Sequence, residues 1–194
     1  MEYNKVIVPL DGSKLAETVL PHVEKIAKGC NIPQIVLVTV TEPLRVRTPK
    51  GERFEQLPAR SFNKPVIFYG SIANMASGEI SIPGPLKDLP VTIGKMAKTG
   101  YEYLTRVAEK MQNKGMQVSI ALLIGDVAEE ITRFAETEKA DLIIMASRGR
   151  MSLRRWDVGN AATKVFRSTE IPMLMIKPPA GFKETKPVRK GKAL

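Results

Sequence analysis

The sequence predicts an α/β fold, an open parallel sheet covered by helices on both faces. Three observations lead there. Five short, nearly continuous apolar runs recur along the chain, the pattern of strands buried on both faces rather than on one. Between them lie segments whose apolar residues recur at helical spacing. Runs and periodic segments alternate, as right-handed crossovers between parallel strands require.

Residues 5–10 (KVIVPL) are the first strand, ended by the turn Asp11-Gly12-Ser13. Residues 13–29 read as a helix with Ala16, Val19, Leu20, Val23, Ile26 and Ala27 on one face and Gly29 as its stop. A second strand follows at 34–41 (QIVLVTVT). Residues 91–114 form a long amphipathic helix, with Ile93, Met96, Gly100, Leu104, Val107 and Met111 at helical spacing, and 117–124 (QVSIALLI) a third strand. Asp126 then opens a helix as its N-cap, with Glu129 three residues on, the layout of a capping box. That helix turns Val127, Ile131 and Phe134 inward and ends near Lys139. The fourth strand, 142–145, runs into the small-residue turn Ala146-Ser147-Arg148-Gly149 and a basic loop. Gly159-Asn160 opens the last helix, with Ala162, Val165 and Phe166 on one face. The fifth strand, 171–176, is entered through Pro172.

Residues 42–90 interrupt this alternation with seven prolines and scattered apolar groups such as Val66-Ile67-Phe68-Tyr69. A structureless loop of this length is unusual inside a compact domain. It leaves the carboxyl end of the second strand, where open α/β sheets hold ligands. It reads either as a lid or partner-docking flap, or as a tolerated surface insertion, with room for a small hairpin or short helix.

At 194 residues and 43% hydrophobic content, the chain suits one domain over 1–177 with a basic tail at 178–194. No apolar run approaches the roughly 20 residues of a membrane span, and the N-terminus lacks a signal-peptide layout. Cytoplasmic residence is the expectation. The single cysteine, Cys30, excludes an internal disulfide or a CxxC pair. The single histidine, His22, leaves no His-based metal cluster or Ser-His-Asp site within one chain. The net charge of +10 is partly a matter of the tail, where Lys183, Lys186, Arg189, Lys190 and Lys192 face only Glu184. That tail is either a nonspecific phosphate or acidic-partner tether, or a solubilising end; nucleic acid is not the expected partner. Glu129-Glu130 stand in a helix's first turn, where the dipole favours anions, and Trp156 is either a cap over a bound ligand or a core anchor, the anchor being preferred. No dinucleotide fingerprint, P-loop or nucleophile elbow occurs.

What remains is the fourth strand, its glycine turn, the helix start at Gly159-Asn160 and the fifth strand, the parts of a phosphate-holding βαβ unit. Outside the insertion and tail, the chain resembles the universal stress protein family. The resemblance rests on Val6-Ile7-Val8-Pro9-Leu10-Asp11-Gly12-Ser13, which is similar to the family's opening strand and aspartate turn. It rests also on Gly125-Asp126, similar to its Gly-Asp/Asn helix start, and on Ala146 to Asn160, similar to its nucleotide loop G-x2-G-x9-G-[ST]. Gly149 and Gly159 fall on the second and third glycines. Ala146 replaces the first glycine and Asn160 the hydroxyl residue. A methyl at Ala146 forbids comfortable positive φ and crowds an approaching ribose or phosphate. Asn160 loses a hydroxyl donor but brings an amide and can still cap a helix.

The resemblance implies a Rossmann-like five-stranded sheet in the order 3-2-1-4-5 and a ligand, ATP or a related adenine nucleotide, with or without magnesium. Pro9 and Asp11 would then lie beside the adenosine, and Val40 would offer backbone to the base. Ala146, Arg148, Gly149, Gly159, Asn160 and Ala161 would frame the phosphates. Arg148, Arg150, Arg154 and Arg155 either attract phosphate or form a solvated rim, and Asp11 is either a ligand contact or a turn-former. No general base is evident, so hydrolysis would be slow at most and no catalytic residue is assigned. In this strand order residues 171–176 form a sheet edge, apolar on both sides, which a second copy would cover; the family pairs through this strand. A protein-interaction module of the same fold, docking partners through 42–90, is the alternative function.

Overall fold

The computed structural model describes residues 2–41, 45–48, 51–54, 66–71, 91–147, 160–179 and 182. Its elements are β1 (Lys5–Pro9), a 3-10 turn (Ala16–Val19), α1 (Leu20–Gly29), β2 (Gln34–Thr41), β3 (Arg45–Thr48), β4 (Gly51–Phe54) and β5 (Val66–Ser71). There follow α2 (Val91–Gln112), β6 (Val118–Ile124), α3 (Val127–Thr137), β7 (Leu142–Ala146), α4 (Asn160–Ser168) and β8 (Met173–Ile176).

The main sheet runs β5-β6-β2-β1-β7-β8. Its five parallel strands, β6-β2-β1-β7-β8, have the order 3-2-1-4-5, as expected from the resemblance. The apolar runs are continuous because each strand feeds two cores. Val6, Val8 and Leu10 enter one cluster with α1 and α2, while Ile7 enters the other with α3 and α4. Strand β7 divides likewise, Leu142, Ile144 and Ala146 to the first cluster and Ile143 and Met145 to the second. Helix α2 lies close on the sheet at Gly100, where a β-carbon would stand 3.1 Å from Thr39 Cγ2 and 3.2 Å from Leu122 Cδ1.

The insertion contributes structure that its composition hid. Strands β3 and β4 pair as an antiparallel hairpin, and β5 adds antiparallel to β6 as a sixth strand of the main sheet. The apolar stretch at 66–69 is part of that strand. Antiparallel pairing needs no crossover helix, so the alternation that announces the other strands gives no warning of this one.

Three expectations about helices change. The first helix does not start at Ser13. Instead the Ser13 hydroxyl accepts the Ala16 N–H at 3.0 Å above a 3-10 turn, and α1 begins at Leu20 with Pro21 in its first turn, where a missing N–H is tolerated. In α2 the inward stripe is Ala97, Tyr101, Leu104, Ala108 and Met111, while Met96 is 39% exposed. In α4 Ala162 and Val165 face inward, but Phe166 is 57% exposed. The sheet ends on this side, and all four β8 residues are only half-buried.

Candidate functional site

Five parallel strands place their carboxyl ends along one edge, and the crossover helices start from that same edge with free N–H groups and the positive end of their dipoles. Most of the predicted site residues with described positions gather there. Pro9 ends β1, and the next residue, Leu10, donates its N–H to Val38 O at 2.8 Å. Val40 is half-buried near the end of β2, opposite Leu123. Ala146 ends β7, and Ser147 donates its N–H to Ile176 O at 2.8 Å. Asn160 and Ala161 open α4. Arg148, Gly149 and Gly159 lie outside the described residues, as do Arg150, Arg154, Arg155 and Trp156.

Asp11 is exposed, and its Oδ1 accepts both the Ser13 N–H at 2.9 Å and the Ser13 hydroxyl at 2.6 Å. It is a turn-former, and that role leaves a ligand-facing one compatible with it. Ala146 carries its methyl without backbone strain. The residue keeps strand backbone and buries its methyl in the α1–α2 core, 6% exposed. No positive φ is required at this position.

The edge also holds polar side chains that sequence reasoning passed over. Among the described residues five polar or charged side chains are buried, and four of them stand at this edge: Thr41 ends β2, Ser13 and Ser147 follow β1 and β7, and Glu130 lies in the first turn of α3. Glu130 is the unexpected one, since the first turn of a helix suggests a solvated carboxylate. It is only 5% exposed. The signal was present in the spacing: Val127, Glu130, Ile131 and Phe134 stand at i, i+3, i+4 and i+7, a single helix face. Arg133 Nη2 reaches Glu130 Oε1 at 3.1 Å, while Oε2 has no hydrogen-bond partner among the described residues. Burial raises the Glu130 carboxyl above its ordinary range; Arg133 opposes this, and Glu129 and Asp126 reinforce it.

Asp126 caps α3 as expected, its Oδ1 accepting the N–H groups of Ala128 at 3.0 Å and Glu129 at 3.2 Å. Its Oδ2 stands 3.7 Å from Lys164 Nζ, which ties the start of α3 to α4. On the other side of the sheet, burial and the nearby Glu17 and Asp11 carboxylates push the Tyr103 phenol above its usual range. His22 and Cys30 are exposed, the first in the opening turn of α1 and the second just after its end.

A groove of about 960 Å³ opens at the opposite, amino edge, lined by Lys5, Gln34, Gln112, Gln117, Lys139 and Asp141 among others. It is the wrong place for an anion. Helices α1, α2 and α3 end on this side and turn the negative ends of their dipoles toward it. Two of its charged groups are also engaged: Asp141 Oδ2 accepts the N–H groups of Asn4 at 2.7 Å and Lys5 at 2.8 Å, and Lys5 pairs with Glu138 at 2.9 Å.

Residues 83–177 match the model of the universal stress protein family. Over 179 residues, 91% of this chain and 84% of the relative, the sequence is 27% identical to universal stress protein MJ0531 of Methanocaldococcus jannaschii. The family match and the curated relatives alike indicate the universal stress protein family. It shares its fold with the solved structure of protein MJ0577, with a TM-score of 0.64 and 20% identity over 93% of this chain and 99% of that one. Two further universal stress protein structures share it at a TM-score of 0.53 and 15% identity. One, in complex with cAMP, is matched over 91% of this chain and 98% of that one. The other, from Arabidopsis thaliana with AMP bound, is matched over 91% of this chain and 93% of that one.

Proposed function

We propose that this protein binds ATP or a related adenine nucleotide at the carboxyl edge of its sheet and acts in a stress-response or regulatory role as a homodimer. The observation that carries the reading is the convergence of Pro9, Val40 and Ala146, at three adjacent strand ends, with the first turn of α4. The strand order reverses between β1 and β7, and the crevice at such a reversal is where open α/β sheets take ligands. The helix N-terminus supplies N–H groups and a favourable dipole for phosphate. Family members solved with AMP and cAMP support an adenine nucleotide as the class of ligand. Their carboxyl-edge counterparts in this chain, from Pro9 to Ala161, are the residues we assign to it. No described side chain at the edge is set to activate water, so the reading is binding rather than turnover.

The melting temperature with and without excess Mg-ATP tests this, beside a Gly149→Asp control that puts negative charge in the phosphate loop. Nucleotide at about 100-fold over its dissociation constant stabilises by roughly 2.7 kcal/mol, about 5 to 10 °C for a chain of this size. The shift is expected in the wild type and lost in the control. No shift at millimolar nucleotide transfers the function to partner docking through 42–90. For assembly, β8 is a sheet edge with half-buried side chains and an exposed Phe166 on the neighbouring helix. Sedimentation at micromolar concentration is expected to give a dimer, and a monomer alone would remove that part of the proposal.

A further inference from the structure

Glu130 is a buried, half-satisfied carboxyl group that nothing in nucleotide binding by backbone N–H groups calls for. It also explains Gly125. That glycine has φ +142°, and a β-carbon on it would lie 2.7 Å from Glu130 Oε1 and 2.8 Å from Glu130 Cγ. The Glu130 side chain therefore fills the space beside Gly125 that a side chain would take. Gly125 in turn donates its N–H to Thr41 O at 3.2 Å. Thr41 is the last residue of β2, and Val40 precedes it. From the start of α3 a second connection leaves in the other direction, through Asp126 and Lys164 to α4. Glu130 thus stands behind a short physical chain joining the exit of β6 to the end of β2, beside a second link to the helix that opens with Asn160.

We propose that Glu130 is a positioning residue for the nucleotide edge: in its neutral form it packs on Gly125 and holds the Gly125–Thr41 link, and its ionisation loosens that link and weakens nucleotide binding. The inference rests on the nucleotide reading above. The physical reason is desolvation. A buried carboxylate with one unpartnered oxygen is unfavourable, and the group relieves this by turning Oε2 toward water, which withdraws the side chain from Gly125. The charges that face it are Arg133, Glu129 and Asp126 on its own helix and cap, with Lys164 reaching Asp126 from α4. Arg133 is 53% exposed, so its attraction is weakened by solvent. Both neighbouring carboxylates favour the neutral form.

The test compares wild type with Glu130→Gln, which keeps the shape of the neutral acid and removes the titration. AMP affinity is measured by calorimetry across pH 5 to 8, and the backbone amide shifts of Gly125 and Thr41 are followed over the same range without ligand. Wild-type affinity is expected to fall about fivefold or more as pH rises through the Glu130 titration, the scale of an ordinary coupling between sites. The Gly125 amide is expected to move with the same midpoint. In Glu130→Gln both dependences disappear, leaving only the titration of the AMP phosphate, which both proteins share. Identical pH profiles in the two proteins overturn the inference, as does a Gly125 amide that stays still while the Glu130 carboxyl carbon titrates. Should neither protein bind AMP or ATP, the nucleotide reading fails. The amide titration then decides the coupling alone: its presence keeps Glu130 as the group that sets this edge, and its absence removes it.

Discussion

The two edges of one sheet are built on opposite terms. At the amino edge charged groups are spent on holding the chain together: Asp141 binds the N–H groups of Asn4 and Lys5 across 136 or more residues of sequence, and Lys5 closes on Glu138. At the carboxyl edge buried polar groups accumulate, and one of them, Glu130 Oε2, lacks a hydrogen bond among the described residues. Concavity does not separate the two, since the 960 Å³ groove is at the amino edge. Direction does. Parallel strands align every crossover helix, so N-termini and their donors meet at one edge and carbonyl ends at the other. Stability is concentrated where the dipoles repel anions, and unspent polar capacity where they attract them.

The comparison predicts separable mutants, and the larger effect belongs to the amino edge. Asp141→Ala removes the acceptor for two backbone donors that join the start of β1 to the loop before β7. Charge-assisted bonds of this kind contribute about 1.5 to 3 kcal/mol, less where water competes. With one of the two exposed, the expected loss is about 2 kcal/mol, or roughly 4 to 8 °C in melting temperature. Nucleotide affinity of the folded protein is expected to stay at the wild-type value. A variant that melts like wild type, or one that folds normally but binds nucleotide poorly, would break the division between the edges.

How much of this could be read beforehand depends on what kind of force places each residue. The five parallel strands were legible because burial on both faces writes a continuous apolar run, and Leu142 to Ala146 is the plainest case. Asp126 was legible as a cap because the chemistry of a helix start is local. Strand β5 was not, because its partner β6 lies some 50 residues away, a separation no local pattern encodes. Phe166 and Met96 were misplaced because helical spacing defines a face but not where the neighbouring element stops covering it. At the site, Pro9, Val40 and Ala146 were placed by strand ends and resemblance. Of the two consequences drawn for Ala146, the backbone strain is absent, since the residue keeps strand backbone and the core receives its methyl. Glu130 was hidden by a correct rule, that acidic residues suit a helix's first turn, which says nothing about whether the turn is covered.

The smaller prediction concerns that residue and sharpens the comparison from the carboxyl edge. The Glu130 carboxyl is raised from 4.5 by burial first, with Glu129 and Asp126 adding to the rise and Arg133 opposing it. The folded state therefore holds its proton to higher pH than the unfolded chain does. Between the two pKa values the folded state binds more protons, so stability falls as pH rises. The contribution is complete below pH 4.5 and is lost as pH climbs through the folded-state pKa. A single proton limits the slope to about 1.4 kcal/mol per pH unit. Glu130→Gln is expected to be flatter than wild type over that interval in a series of urea unfolding curves, while Asp141→Ala shifts the whole wild-type curve downward without removing this slope. If Glu130→Gln kept the slope, the carboxyl would already be ionised and satisfied in the folded protein. The carboxyl edge would then be held together on the same terms as the amino edge, and the contrast between them would reduce to the direction of the helix dipoles.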